Sequence, residues 1–263
     1  MRRAGPRSSL CLRTPRGGAA SDRRVRRSPR GPRPHPRRRV LGGGPGAASG
    51  ARLRPQTARR CRLLEGRLLA AHAVHLSAHD IRLLADHGAG IAHCPGSNAT
   101  LASGIAALTA LRAASVAGGL GTDGPASNDD LDLWEEMRRA MMLARATTAD
   151  PLALTAKSTL LLATRGAADA VGRQDIGTLS PGTWAGMIHV GVDVPHFAAG
   201  LDVPEEQLLA DLVWAAGSRA VRDVWVAGEQ VVADGEPLRV GRLAAQREVA
   251  LAAAHILRAE RQE

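Results

Sequence analysis

Short apolar segments alternate with helix-like patterns along residues 68–148, and this alternation limits the fold more than any other feature of the chain. The apolar segments are residues 68–74, 90–93 and 116–121, and they recur at intervals of about 20–25 residues. Strands joined by helix-length connections run parallel and cross over with a right hand. We therefore predict an α/β fold in which all three strands deliver their following residues to the same edge of a sheet.

The stretch 116–138, VAGGLGTDGPASNDDLDLWEEMR, is the clearest unit of this kind. Its apolar run predicts a strand, and Gly121–Gly124 places the carboxylate of Asp123 at the strand's carboxyl end. In parallel α/β proteins this end faces the ligand. Asp123 is therefore the first candidate functional residue, although a single Asp here could also serve only as a turn cap. The candidate caps of the next helix are Ser127, Asn128, Asp129 and Asp130.

The remaining sequence predicts further helices, one strand and a hairpin. Cys94–Asn98 is expected as a loop, and Asp150 followed by Pro151 is expected to start a helix. Helices are predicted at 103–114, 151–163, 204–215 and 241–261, a strand at 187–191 and a hairpin at 221–234.

Charge is distributed very unevenly. Residues 1–60 hold 18 Arg and one acidic residue, a net charge of 18 − 1 = +17, whereas the other 203 residues carry 17 − 24 = −7. With so few apolar side chains, residues 1–60 are predicted to be disordered. This segment could be a nucleic-acid-binding arm, a transit segment, or the out-of-frame translation of GC-rich DNA and so not native protein.

The rest of the chain gives little sign of nucleic-acid, membrane or disulfide chemistry. It has one Phe and no Tyr with which to stack bases, and no apolar run approaches the ~18 residues of a membrane span. The three cysteines of the whole chain are scattered and fit neither a disulfide framework nor a CxxC metal site. We expect a cytoplasmic protein whose body does not bind nucleic acid.

Histidines also occur near the predicted strand ends. His72 and His75 follow the first strand, His93 ends the second and Asp123 follows the third. Each histidine alone could simply be a hydrogen-bonded residue beside the core. Together with Asp123 they favour a metal-assisted site, in which a metal lowers the pKa of bound water and a carboxylate takes its proton.

Five motifs follow one another along the chain: AAHAVHL (70–76), AHCPGSN (92–98), LASGIA (101–106), GLGTDGPASNDDLDLWEEMR (119–138) and IGTLSPGTWAGMIHV (176–190). With these motifs the chain resembles the amidohydrolase superfamily, and more narrowly its chlorohydrolase-like branch, which includes methylthioadenosine/S-adenosylhomocysteine deaminases. The resemblance runs from about residue 64 to 240.

The resemblance implies a metal-dependent (β/α)8 barrel with a small β-domain, and hydrolytic deamination of an amino-heterocycle. Asp123 matches the family's metal-binding, proton-carrying aspartate, and His72 matches the histidine that stabilises charge near the metal. His93, Ser127 and Asn128 match positions that shape the substrate pocket. The implied cofactor is a divalent metal, Zn or Fe, and the implied partner is a small heterocyclic substrate.

Two family patterns are absent, His-x-His on the first strand and His-x-x-Glu on a later one. Of four expected metal ligands only Asp123 remains, whereas catalytic Zn²⁺ normally needs three protein ligands. We therefore expect the carboxyl-terminal half of such an enzyme, binding no metal of its own, and leave its activity open. The expected regions are the 1–60 segment, barrel strands and helices in 61–175, a β-domain remnant in 176–240 and a helix in 241–263.

A partial barrel would leave strand edges open, so self-association is expected. The alternative function is a non-catalytic scaffold with an Arg-rich arm for nucleic acid. Salt-dependent binding to random DNA that is lost on deleting residues 1–60 would support the scaffold, and unchanged binding after deletion would refute the arm.

Overall fold

The computed structural model describes residues 68–260, together with Ser9–Leu10, Arg39–Leu41 and Leu64. The strands in this part of the chain form one parallel and one antiparallel sheet. In chain order they are β1 (Ser9–Leu10), β2 (Arg39–Leu41), β3 (Leu68–Ala71), β4 (Gly90–His93), β5 (Ala117–Leu120), β6 (Met187–Gly191), β7 (Val221–Val226), β8 (Glu229–Ala233) and β9 (Glu236–Pro237).

The parallel sheet has the order β2-β3-β4-β5. It confirms the three strands predicted from the apolar segments, although β3 ends at Ala71 rather than at residue 74. Leu69 lies opposite Gly90, and Gly90 opposite Ala117, so the three strands start in register. As a result their carboxyl ends lie side by side.

The first helices connect the parallel strands, and further helices follow along the chain. They are α1 (Ala78–Asp86), α2 (Pro95–Thr100), α3 (Leu108–Ala113), α4 (Leu133–Thr148), α5 (Ala156–Ala163), α6 (Arg165–Ala170), α7 (Glu205–Ala210), which continues as a π-helical segment at Asp211–Ala216, and α8 (Arg242–Glu260). Helix α1 begins after Ser77, because Ser77 and Asp80 form a capping box in which each side chain accepts from the other's backbone N–H.

Helix α6 lies directly on β5 because both surfaces carry only small residues. A Cβ added to Gly119 would lie 2.6 Å from Ala167 Cα, and one added to Gly166 would lie 2.7 Å from the Gly118 carbonyl oxygen. Neither position has room for a side chain. This close approach fixes β5, and with it the residues that follow β5.

Two side chains of helix α4 donate hydrogen bonds to backbone carbonyls of the π-helical segment and so join the two elements. Trp134 Nε1–H donates to Leu212 O at 2.9 Å, and Arg138 Nε–H donates to Val213 O at 3.1 Å. The buried face of α4 presents Met137, Met141 and Ala144 to the core, at the spacing of three to four residues that places side chains on one face of a helix.

Several predicted boundaries are wrong, each for a local reason. Cys94–Asn98 is not a loop, because α2 starts at Pro95. Asp150 accepts from Leu152 N–H within a turn, so α5 starts later with Thr155 as its cap. Helix α3 starts at Leu108 instead of residue 103. The cap of α4 is Asp132, which lies beyond all the candidate caps and accepts from Trp134 N–H at 2.8 Å.

The antiparallel sheet has the order β1-β6-β7-β8-β9 and confirms both the strand at 187–191 and the hairpin at 221–234. Two short pieces of residues 1–60 depart from the predicted disorder, since β1 pairs with β6 and β2 pairs with β3. The rest of that segment lies outside the described residues. Among the described helices, none combines the length and the apolar character that a membrane span requires.

Candidate active site

Polar residues that follow β3, β4 and β5 meet at the carboxyl edge of the parallel sheet. His72 follows β3, His93 ends β4 and Asp123 lies beyond β5. The backbone of His72 (φ 66°) and that of Asp123 (φ 65°) are left-handed, a conformation that L-residues adopt at a cost. Both side chains therefore leave their strands at sharp turns. His75 is exposed and is not part of this cluster.

The carboxylate of Asp123 is held by two serine hydroxyls. Ser97 Oγ donates to Asp123 Oδ2 at 2.7 Å and lies 2.8 Å from Ser127 Oγ. Ser127 Oγ lies 3.2 Å from the same carboxylate oxygen. The hydrogen bond from Ser97, with smaller contributions from the Gly124 N–H, His72 and Ser127, holds the pKa of Asp123 below its ordinary value despite partial burial. Asp123 is therefore an ionised base at neutral pH.

The imidazole of His72 is oriented by Asn98 and faces Asp123. Its Nδ1 lies 2.9 Å from Asn98 Oδ1, so Nδ1 carries a proton that it donates to the amide oxygen. Its Nε2 lies 3.8 Å from Asp123 Oδ2. That separation is too long for a direct hydrogen bond, but one oxygen atom about 2.8 Å from each group would contact both.

His93 is the residue of this edge that is closed off from solvent. It is buried, and its Nδ1 has no hydrogen-bond partner among the described residues. Burial, together with the neighbouring His72, lowers the pKa of His93 to about 4, so it is neutral at physiological pH. Burial also raises the pKa of the Cys94 thiol to about 12, and the charges of Asp123 and Glu136 act in the same direction. Cys94 is thus an unreactive thiol.

The two other predicted pocket residues, Ser127 and Asn128, are both buried beside Asp123. Ser127 contacts Asp123 directly, whereas the Asn128 Nδ2–H donates to Glu136 Oε1 at 2.9 Å. Asn128 therefore supports the site through its hydrogen bond to Glu136.

Sequence reasoning missed Ser97, Asn98 and Glu136. The AHCPGSN motif contains the first two residues. Because the sequence predicts a loop for this motif, it does not indicate which way their side chains point. Glu136 is fully buried in α4, and a charged residue next to the apolar spacing of this helix was the one signal that could have revealed it.

The described residues do not fit a catalytic metal by themselves. Within this part of the chain no group of three or more His, Cys, Asp or Glu side chains is arranged to hold a metal ion. His72 and Asp123 supply two candidate ligands, and the Nδ1 proton of His72 is engaged by Asn98. A catalytic zinc site uses three protein ligands.

A family model described as the amidohydrolase family matches residues 49–231. The chain belongs to the amidohydrolase family. The resemblance found in the five motifs is thus confirmed, and the mixed α/β fold is that of amidohydrolases with solved structures.

Individual amidohydrolases match only in part. A 5-methylthioadenosine/S-adenosylhomocysteine deaminase of Pelotomaculum thermopropionicum is 48% identical over 165 residues, which are 63% of this chain and 37% of that protein. The deaminase of the same name from Natronomonas pharaonis is 40% identical over 71% of this chain and 42% of its own length. The chain therefore spans about two fifths of these curated relatives.

Solved amidohydrolase structures give the same picture. An adenosine deaminase from Xanthomonas campestris with bound zinc superimposes with a TM-score of 0.70 at 37% identity, over 76% of this chain and 45% of that one. A mutant atrazine chlorohydrolase from Arthrobacter aurescens, complexed with zinc and atraton, gives a TM-score of 0.65 at 29% identity, over 76% and 43% of the two chains.

Proposed function

We propose that this chain provides the Asp123 side of a hydrolytic site that removes the amino group of a heterocycle of the adenine-nucleoside type. The observation that carries the proposal is the ionised carboxylate of Asp123, which lies 3.8 Å from His72 Nε2 at the carboxyl edge of the parallel sheet. The names of the related deaminases support the substrate class.

The chemistry would use Asp123 as a proton carrier. A water oxygen bonds to the ring carbon that bears the amino group, the electron pair of the adjacent ring C=N bond moves onto the ring nitrogen, and Asp123 takes a proton from that water. The proton then passes from Asp123 to the amino nitrogen, the electron pair of the ring nitrogen re-forms the C=N bond as the bond to the amino nitrogen breaks, and ammonia and a hydroxyl- or oxo-substituted ring result. His72 would stabilise the charge that develops beside Asp123. His93, Ser127 and Asn128 would shape the pocket that holds the ring.

Within this proposal, β2 to β5 are strands of a partial (β/α)8 barrel. The barrel lies in residues 61–175, except that its strand β2 comes from Arg39–Leu41. The antiparallel strands of 176–240 would be the remnant of the small β-domain, and 241–263 the terminal helix. Support comes from the parallel order of the strands and from the shared carboxyl edge on which His72 and Asp123 lie.

The same proposal holds that the chain does not retain a stoichiometric catalytic metal. Metal analysis of the purified, dialysed protein is expected to find well under one zinc or iron per chain, because two candidate ligands do not hold such an ion tightly. About one tightly bound metal per chain, with activity lost on chelation, would mean that further ligands exist.

Ammonia release tests the function. The purified chain is incubated with 5′-methylthioadenosine, S-adenosylhomocysteine or adenosine, with and without added Zn²⁺, and compared with Asp123→Asn. Asn fits the left-handed backbone but cannot take a proton, so release should fall by ~10²–10⁴-fold. Ammonia release that is measurable and equal in both proteins would refute the role of Asp123, and no release from any of these compounds, with or without Zn²⁺, would refute the activity of this chain by itself.

A further inference from the structure

Glu136 is a buried carboxylate whose hydrogen-bonding capacity is used by three donors. Its Oε2 accepts from Gly96 N–H at 2.8 Å, and its Oε1 accepts from Asn128 Nδ2–H at 2.9 Å and from Arg139 Nη1–H at 2.7 Å. The residue is 0% exposed. In all three hydrogen bonds the Glu136 oxygens are the acceptors. A buried ion pair is weak evidence for stability, so its position calls for another reason.

Two of the groups that donate hydrogen bonds to Glu136 lie in the same segments as the serines that contact Asp123. Gly96 directly precedes Ser97 in α2, and Asn128 directly follows Ser127 in the loop after β5. Ser97 and Ser127 are the two hydroxyls on Asp123 Oδ2. The carboxylate of Glu136 thus holds Gly96 and Asn128. These two residues are the chain neighbours of Ser97 and Ser127, the serines that hold the carboxylate of Asp123.

The backbone at Gly96 is packed directly against this carboxylate. A Cβ at residue 96 would collide with Glu136 Oε1 and would lie 2.9 Å from Arg139 Nη1 and 3.0 Å from Asn128 Nδ2. Only glycine leaves room for the carboxylate between the two segments. The close contact makes the positions of Ser97 and Ser127 depend on Glu136.

We propose that Glu136 is the positioning residue that sets Ser97 and Ser127 on Asp123. The functional meaning of this inference rests on the proposed role of Asp123, whereas the geometry does not. Glu136 contacts no reacting atom and acts through the two serines.

The chain offers a matched control in the preceding residue, Glu135. Glu135 pairs with Arg138 just as Glu136 pairs with Arg139, three residues ahead on the same helix, but Glu135 is partly exposed. Glu136→Gln turns an amide N–H toward a backbone or side-chain donor, whichever way the amide is oriented. Glu135→Gln makes the same chemical change at the surface.

Residue-resolved amide exchange and the carboxyl ¹³C resonance of Asp123, both by NMR, provide the test. In Glu136→Gln, exchange at residues 96–98 and 123–128 should quicken by about 10- to 100-fold, and the Asp123 resonance should shift, while α1 and β6 to β8 keep wild-type exchange. Glu135→Gln should change neither. Uniform acceleration in Glu136→Gln would show an ordinary core residue, and no change would also overturn the proposal.

If Glu136→Gln does not fold, Asn128→Ala keeps the experiment decisive. It removes one donor and leaves the Gly96 contact, so exchange should rise at 123–128 but not at 96–98. Equal effects on both segments, or on neither, would refute the arrangement. Because these measurements need no turnover, a chain that releases no ammonia but shows the selective exchange would refute the proposed function alone.

Discussion

Ser97 is the residue whose removal should change the chemistry of Asp123 most. Its hydroxyl is the largest contribution that lowers the pKa of that carboxyl. Ser97→Ala is therefore expected to raise the pKa of Asp123 toward its ordinary value, because the charged form loses a donor. The pH at the midpoint of the Asp123 carboxyl ¹³C titration measures this change.

Ser103→Ala is the control for that titration. Ser103 is exposed, lies six residues farther along the chain and makes none of the side-chain contacts described for Ser97. Its substitution should leave the Asp123 midpoint at the wild-type value. A midpoint in Ser97→Ala that stays at or below the wild-type value would show that Ser97 does not stabilise the carboxylate.

At the residue scale, the sequence indicated which candidate residues lie together, but it did not indicate the contacts that hold them in place. Asp123 and His72 could be named because they follow apolar strand segments, whose ends meet by the geometry of parallel sheets. Ser97 and Glu136 could not, because their importance comes from contacts between residues 26 and 40 positions apart. No local spacing records such contacts.

Among the elements, the contact of β5 with α6 offers a sharp comparison between adjacent glycines. Gly119→Ala places a Cβ 2.6 Å from the backbone of Ala167, so the helix must move, at a cost of roughly 1–3 kcal/mol in the free energy of unfolding. Gly118→Ala meets Ile91 Cγ1 at 3.3 Å, and a side chain can adjust. Its cost should stay below about 1 kcal/mol.

Urea unfolding of the two glycine variants measures the difference. The chemical change is the same in both variants and the positions are neighbours, so effects on the unfolded chain largely cancel. Equal costs would mean that α6 does not rest on β5 as closely as the structure has it.

A cross-strand pair between β6 and β7 should make stability depend on acid pH. His189 Nδ1 lies 2.6 Å from Asp223 Oδ2, and this hydrogen bond, with that from Asp234 N–H, lowers the pKa of Asp223. The stabilisation is complete above the unfolded carboxyl pKa of about 3.9 and is lost as pH falls through the lower folded value.

Asp223→Asn should therefore lose less stability than wild type as the pH is lowered from about 5 to 2, as urea midpoints at each pH would record. Asp202→Asn serves as the control, because Asp202 is an exposed carboxylate. An acid dependence that is identical in wild type and Asp223→Asn would rule out the contribution of this pair.

Element types were predicted more reliably than element ends. The start of α1 follows from a capping box within four residues, which is local chemistry. The start of α2 depends on Gly96 N–H reaching Glu136 across 40 residues, so the turn-like letters PGSN suggested a loop. Likewise Asp132 caps α4 because Ser218 Oγ donates to its carboxylate at 2.6 Å and the local candidates lie too early.

For the whole molecule, we expect concentration-dependent self-association. Helix α8 exposes large apolar side chains, each between 55% and 69% exposed: Leu243, Val249, Leu251, Ile256 and Leu257. Such a surface favours burial against another molecule. Sedimentation velocity at increasing concentration should show species larger than the monomer.

Replacing Leu251 and Ile256 with Glu should shift sedimentation toward the monomer. A control with two polar residues of the same helix changed, Gln246→Glu and Arg258→Gln, should leave association as in wild type. A wild-type protein that remains monomeric across the whole range would contradict the expectation.

The α/β class and the parallel strands could be predicted from the period of the apolar segments alone. The pairing of Arg39–Leu41 with β3, and of Ser9–Leu10 with β6, could not, because an Arg- and Pro-rich composition argues against any ordered partner. Pairing across such distances depends on the edge that the rest of the sheet presents.

The left-handed backbones of His72 and Asp123 have an evolutionary consequence. Glycine at either position would relieve about 1–2 kcal/mol of local backbone strain, but it would also remove a side chain that we propose to act in the reaction. A lineage that keeps an imidazole and a carboxylate at these two positions accepts this strain, so the identity of the two residues reports whether the proposed site is still under selection.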